Sequence, residues 1–177
     1  MDYLTKPTTR MDLRKYSKYL RQIFGVPETG AFPVLQVLEK IPDVFEGCNS
    51  EILEDHNFPL KTMARCVQHD KKRVAIEIKQ SVYDGAHKRN IGAFNGFICH
   101  EICHLFLFKI GFTPIFERNY ANNTIQPCRS VEWQAKALCG EVMIPYEESK
   151  GMNEQEICAT YHCSKASARY RVNLDKK

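Results

Sequence analysis

With 177 residues, 44% of them hydrophobic and 26% charged, the chain has the length and composition to bury a core of its own without disulfide staples, which excludes a disordered chain. A net charge of +4 (pI about 8.6) is too mild a basic bias to argue by itself for nucleic-acid binding. No apolar run approaches the roughly 18 residues of a membrane span, and the charged first 30 residues do not read as a signal peptide. The expectation is therefore one globular domain over 1–177 in the cytoplasm, with no membrane partner.

Residues 9 to 25 carry the pattern of an amphipathic helix. Thr9 with Asp12 is an N-terminal capping pair, Leu13, Tyr16, Leu20, Ile23 and Phe24 form an apolar stripe, and Gly25 closes the segment. Arg14, Lys15, Lys18 and Arg21 lie on the other face, which reads as solvated. A shorter helix is expected to start at Pro33 and stop before Pro42. The period then changes: residues 73–82 alternate Val74, Ile76, Ile78 and Val82 with Arg73, Glu77, Lys79 and Ser81, a half-buried strand. Residues 63–67 are a weaker strand, joined to it by the polar turn 69–72, so a small antiparallel sheet is expected. An exposed edge of such a sheet can pair with an extended peptide.

The segment 90–110 is an apolar helix that ends at Gly111, with Pro114 beyond. It carries His100, Glu101 and His104 in the pattern H-E-x-x-H. Two histidines four apart lie on one helical face and can aim at one metal ion, while Glu101, rotated off their line, suits a general base acting on water. Two imidazoles and a carboxylate are costly in an apolar helix unless something satisfies them, and a bound cation does so. Gly92 and Gly96 are poor helix residues, expected where another segment approaches closely. The eight cysteines contain no C-x-x-C and read as reduced thiols. Cys99 and Cys103, each one residue before a histidine, face about 100° away from it and read as packing residues.

Residues 112–129 read as a loop over the site, and Ser130 caps a helix over 131–143 that ends before Pro145. A catalytic zinc takes three protein ligands, and the extended H-E-x-x-H-x-x-G-x-x-H pattern fails because positions 107 and 110 are Leu and Ile. Glu132 and Glu141 are the candidates for the third. They lie nine residues apart on opposite faces, so at most one points inward. The small neighbours Ala135 and Cys139 lean toward Glu132 without deciding it. In the tail, Asn153 with Glu156 caps the first of two short helices about a turn at 162–164. A helix-turn-helix is conceivable there, with Lys165, Arg169 and Arg171 basic, but a helical hairpin packed on the body is the favoured reading.

HEICHLFLF followed by VEWQAKALCGEVMIP resembles the ImmA/IrrE family of metallopeptidases, over roughly residues 73 to 172. The family pattern is an H-E-x-x-H helix followed by E-x-x-A-x-x-[FL] running into Met-Pro; here these are Glu132, Ala135, Leu138 and Met143-Ile144-Pro145. Cysteines at 99, 103 and 139 depart from the small residues more usual there. The resemblance implies an α+β, mainly helical zincin-like domain. Its parts would be N-terminal helices (1–50), a sheet and metal-binding core (51–150) and a C-terminal helical hairpin (151–177). It also implies Zn2+ held by His100, His104 and Glu132, and an intracellular endopeptidase that cuts a helix-turn-helix transcriptional repressor of a mobile element, prophage or stress pathway. Glu101 is the catalytic residue of that reading, and Arg118, Tyr120 and His87 are candidates to stabilise an oxyanion. The competing readings are a non-proteolytic zinc protein that binds a repressor or DNA, and a zinc hydrolase acting on a small substrate. Oligomeric state is not legible.

Overall fold

The computed structural model describes residues 2–70, 72–115 and 125–174. Helix α1 (Arg10–Ile23) begins at the expected cap, where the Thr9 hydroxyl accepts from the Asp12 amide at 3.1 Å. Its apolar stripe is buried through Leu13 and Leu20. The second expected helix is interrupted: α2 (Val34–Glu39) is followed by α3 (Ile41–Val44), with Pro42 accommodated in its first turn, where a missing N–H costs nothing.

Three strands follow, β1 (Cys48–Leu53), β2 (Ala64–Gln68) and β3 (Val74–Lys79), in the order β1-β3-β2. β2 runs antiparallel to β3, as expected, but β1 runs parallel to it on the other side. The sheet is therefore mixed, not antiparallel. The expected strand to Val82 also ends early, because Gln80–Arg89 turns into helix α4. Asn90, in the left-handed conformation (φ 46°), breaks α4 from the long helix α5 (Gly92–Lys109).

Helix α5 runs through the core, with Ile98, Ile102, Leu105 and Phe106 wholly buried, and Gly111 (φ 88°) terminates it. Helix α6 (Val131–Met143) packs on both α5 and α1 and starts at the Ser130 cap, whose hydroxyl accepts from the Trp133 amide. After a short α7 (Tyr146–Ser149), α8 (Glu154–Tyr161) and α9 (Lys165–Leu174) form the expected hairpin, opened by the Asn153–Glu156 capping box. The protein is α+β and mainly helical, and one hydrophobic cluster draws on α1, the sheet, α5, α6 and the hairpin. Among the described residues no helix is long and apolar enough to cross a membrane.

Two basic residues are buried, and for Arg21 this corrects its expected place on a solvated face. Arg21, 1% exposed, donates to the carbonyls of Val142, Pro27 and Gly30 at 2.7–2.8 Å. Arg171, 2% exposed, donates to Ile144 O at 2.7 Å and pairs with Glu141 at 3.1 Å. Both satisfy carbonyls that the end of α6 leaves without helical partners. Gly92 does sit under a close approach, since a Cβ there would lie 2.5 Å from the Cys163 carbonyl carbon. Gly96 does not: a Cβ would meet nothing within 4 Å.

Candidate metal centre

His100 and His104 stand one turn apart on α5, with ring centroids 4.5 Å apart and planes nearly perpendicular. Their Nε2 atoms lie 3.0 Å apart. From the first turn of α6, Glu132 reaches across to both, with Oε2 at 3.3 Å from His100 Nε2 and Oε1 at 3.5 Å from His104 Nε2. A tetrahedral ion with bonds of about 2.0–2.2 Å holds its ligand atoms roughly 3.4 Å from one another. The three separations match that edge length, so this donor set fits a single ion, and these residues form a group that could hold a metal.

Of the two acids left open by the sequence, the geometry separates them cleanly. Glu132 turns to the histidines, whereas Glu141, 1% exposed, faces the opposite way into the cluster of Arg171, Arg10 and Arg14. Hydrogen bonds from His100 and His104 hold the Glu132 carboxyl well below the usual carboxylate range. Burial works to lower the pKa of His100, but the bond to Glu132 and the charges of Glu101 and Glu132 outweigh it and raise the value.

Glu101 lies beside this group at the inner wall of an open cleft of about 550 Å³, bounded by α5, the first turn of α6 and strand β2. Burial pushes its carboxyl up, against the lowering pull of the His104 and His100 charges, and the Cys66 backbone hydrogen-bonds to it. A carboxyl raised toward neutrality exchanges protons more readily near working pH. Cys66 itself is pushed up to about 12, first by burial and then by Glu101, so it lines the wall as a protonated thiol. Strand β2 pairs only with β3 among the described strands, which leaves its other edge along the cleft.

Several contacts that build the site escaped the sequence reading. Asp2 accepts from the Ser130 hydroxyl at 2.6 Å and from the Glu132 amide at 3.1 Å, fixing the turn that carries Glu132. Leu4 bridges both Ile115 and Ser130, so the N-terminal segment lies across the start of α6. Nothing local in the sequence signals contacts spanning some 130 residues. Of the oxyanion candidates, His87 is exposed on α4, stacks on Tyr83 at 5.9 Å and does not line the cleft. Arg118 and Tyr120 lie outside the described residues.

Fold and site together define an α+β, mainly helical protein with a two-histidine, one-glutamate group able to hold a metal ion. Compared with models of known protein families and with curated proteins, the chain matches none.

Proposed function

We propose that this protein is a zinc-dependent endopeptidase of the cytoplasm that cleaves a specific protein, with a helix-turn-helix transcriptional repressor as the substrate class. The observation that carries the reading is the convergence of His100, His104 and Glu132, with Glu101 alongside and a strand edge across the cleft. The two ImmA/IrrE-like motifs in their order support the same reading and supply the substrate class.

His100, His104 and Glu132 would hold Zn2+, which when bound supplies Lewis-acid polarisation of a scissile carbonyl. The other work falls to the chain. The free edge of β2 offers backbone donors and acceptors to an extended peptide and lays it along α5. Glu101 takes the proton of the attacking water and hands it to the leaving amine, and the Cys66 backbone contact keeps its carboxylate at the inner wall. Leu107 and Phe112 contribute apolar surface to the wall beside the polar Arg65, Gln68 and Gln134.

The test is Glu101→Gln in the zinc-loaded protein, read by mass spectrometry of a peptide library and of a repressor co-expressed with it. Zinc content stays at the wild-type level and cleavage falls by about 10²–10⁴-fold, the worth of a positioned general base. Cleavage at the wild-type rate by the variant would remove Glu101 from the mechanism. Failure of the zinc-loaded wild type to cut either substrate would favour the non-proteolytic reading. That reading in turn predicts salt-sensitive DNA binding through α9, where only Lys165 and Arg169 of the three basic residues remain exposed.

A further inference from the structure

The spacing that aims two histidines at the cleft recurs one residue earlier on α5, in Cys99 and Cys103. One residue turns about 100° around a helix, so these thiols point away from the cleft and into the contact with α6. There they meet Cys139, and the three sulfurs all lie within 4.8 Å of one another. Cys99 and Cys103 are wholly buried, Cys139 is partly covered, and all three are free thiols. Apolar packing gives no reason for three of them, from two helices, to turn their sulfurs to one point.

We propose that Cys99, Cys103 and Cys139 form a second, sulfur-only cation site behind the His–Glu group, which takes a three-coordinate thiophilic ion of the class of trivalent arsenic. Geometry, charge and access each bear on the choice of ion. Bonds of about 2.3 Å to three sulfurs at the pyramidal angles of an ion with a lone pair, roughly 95°, set those sulfurs roughly 3.4 Å apart, inside the 4.8 Å limit within which all three lie. Among the described residues no fourth His, Asp or Glu belongs to the group, so a structural ion that closes its shell with four protein ligands is left incomplete. Three thiolates carry three negative charges into the apolar cluster, where an unbalanced charge is costly. A trivalent ion leaves the site neutral, whereas Zn2+ leaves one negative charge and Cu+ two. Soft sulfur donors also select against the harder ions that suit carboxylates.

Access runs beside Cys139. Its thiol donates to Gly96 O at 3.7 Å, and a Cβ at either Gly96 or its own neighbour Gly140 would meet nothing within 4 Å. This open space lies beside Cys139, the one residue of the three that is partly exposed, although its sulfur is buried with the other two. Loading is a ligand exchange without redox change: arsenous acid gives up three As–O bonds for three As–S bonds, and each thiol proton leaves with a hydroxyl as water.

The site is independent of the peptidase reading, and arsenite tests it alone because arsenite favours thiols over imidazole and carboxylate. The reduced full-length protein is mixed with arsenite, freed of excess, and measured by intact mass with EDTA present to clear the His–Glu group. The expected result is one arsenic per chain with three protons lost, and three sulfur neighbours in the arsenic X-ray absorption spectrum. Cys139→Ala and Cys103→Ala weaken binding by more than the roughly tenfold cost of losing an outer-shell partner. Cys66→Ser and Cys128→Ser, outside the group, leave it unchanged. Far-ultraviolet circular dichroism and a cooperative thermal transition establish that each variant is folded. Equal arsenite binding by a folded Cys139→Ala variant, a two-sulfur arsenic spectrum, or arsenic taken up only after unfolding in guanidinium overturns the proposal.

Discussion

Glu132 and Glu141 lie on one helix, and their exchange for alanine should have opposite consequences. Glu141 is 1% exposed and pairs with Arg171, whose side chain is 3% exposed, with Arg10 and Arg14 also in range at 3.2 and 3.4 Å. Glu141→Ala leaves the Arg171 guanidinium buried with only the carbonyls of Gly140 and Ile144 as acceptors. Removing one partner of a buried pair costs about 3–5 kcal/mol. At about 2–4 °C per kcal/mol for a chain of this size, Tm should fall by roughly 6–20 °C. Glu132, with 52% of its side chain exposed, can contribute only as a surface group does in the metal-free protein. Its replacement should change metal-free stability by no more than about 1 kcal/mol. Zinc content inverts the order, being retained in Glu141→Ala and lost in Glu132→Ala. The assay is thermal unfolding with chelator present, since bound metal would otherwise stabilise the native state by mass action, paired with zinc stoichiometry after dialysis. A Glu141→Ala protein that melts within two or so degrees of wild type, or that loses its zinc, would refute the division of labour assigned to the two acids.

The pH dependence of the metal-free protein follows from the paired shifts at the centre. Glu132 is lowered from 4.5, so its contribution is complete above that value and is lost as pH falls through the native pKa. His100 is raised from 6.5, so its contribution is complete below that value and is lost as pH rises through the native pKa. Pairing should thus stabilise most between about pH 4.5 and 6.5 and fade as pH rises through the raised native pKa of His100, a trend measured as the difference in Tm between wild type and Glu132→Gln; a flat difference would contradict it. Zinc needs neutral imidazoles, so its affinity should climb over the same rise in pH with proton release, read by calorimetry in buffers of different ionisation enthalpy. Gly92→Ala drives a Cβ into the Cys163 backbone and should cost about 1–3 kcal/mol. Gly96→Ala, in open space, should gain up to about 1 kcal/mol of helix propensity, and chemical denaturation of both tests the contrast. Asp2→Ala removes the acceptor for Ser130 and the Glu132 amide, so zinc affinity should fall along with about 1 kcal/mol of stability; unchanged affinity by competition with a chelator would separate the N-terminal segment from the site.

What the sequence determined by itself were the features that local chemistry controls. Helical periodicity set α1, an apolar run closed by Gly111 marked α5, side-chain caps at Thr9, Ser130 and Asn153 placed three helix starts, and the i, i+4 spacing put His100 and His104 on one face. The nine-residue spacing also told that Glu132 and Glu141 could not share a role. Tertiary structure decided everything that depends on which distant segments meet. β1, with Asn, Ser and Glu among its six residues, has no alternation to announce it and becomes a strand only by pairing in parallel with β3. Arg21 and Arg171 look like surface charges until the end of α6 supplies carbonyls that need donors. The packing of α6 against α5 brought Glu132, not Glu141, to the two histidines and gathered Cys139 with Cys99 and Cys103. Spacing along one helix governs only direction, whereas a site with ligands from two helices exists only once their packing brings them within bonding reach.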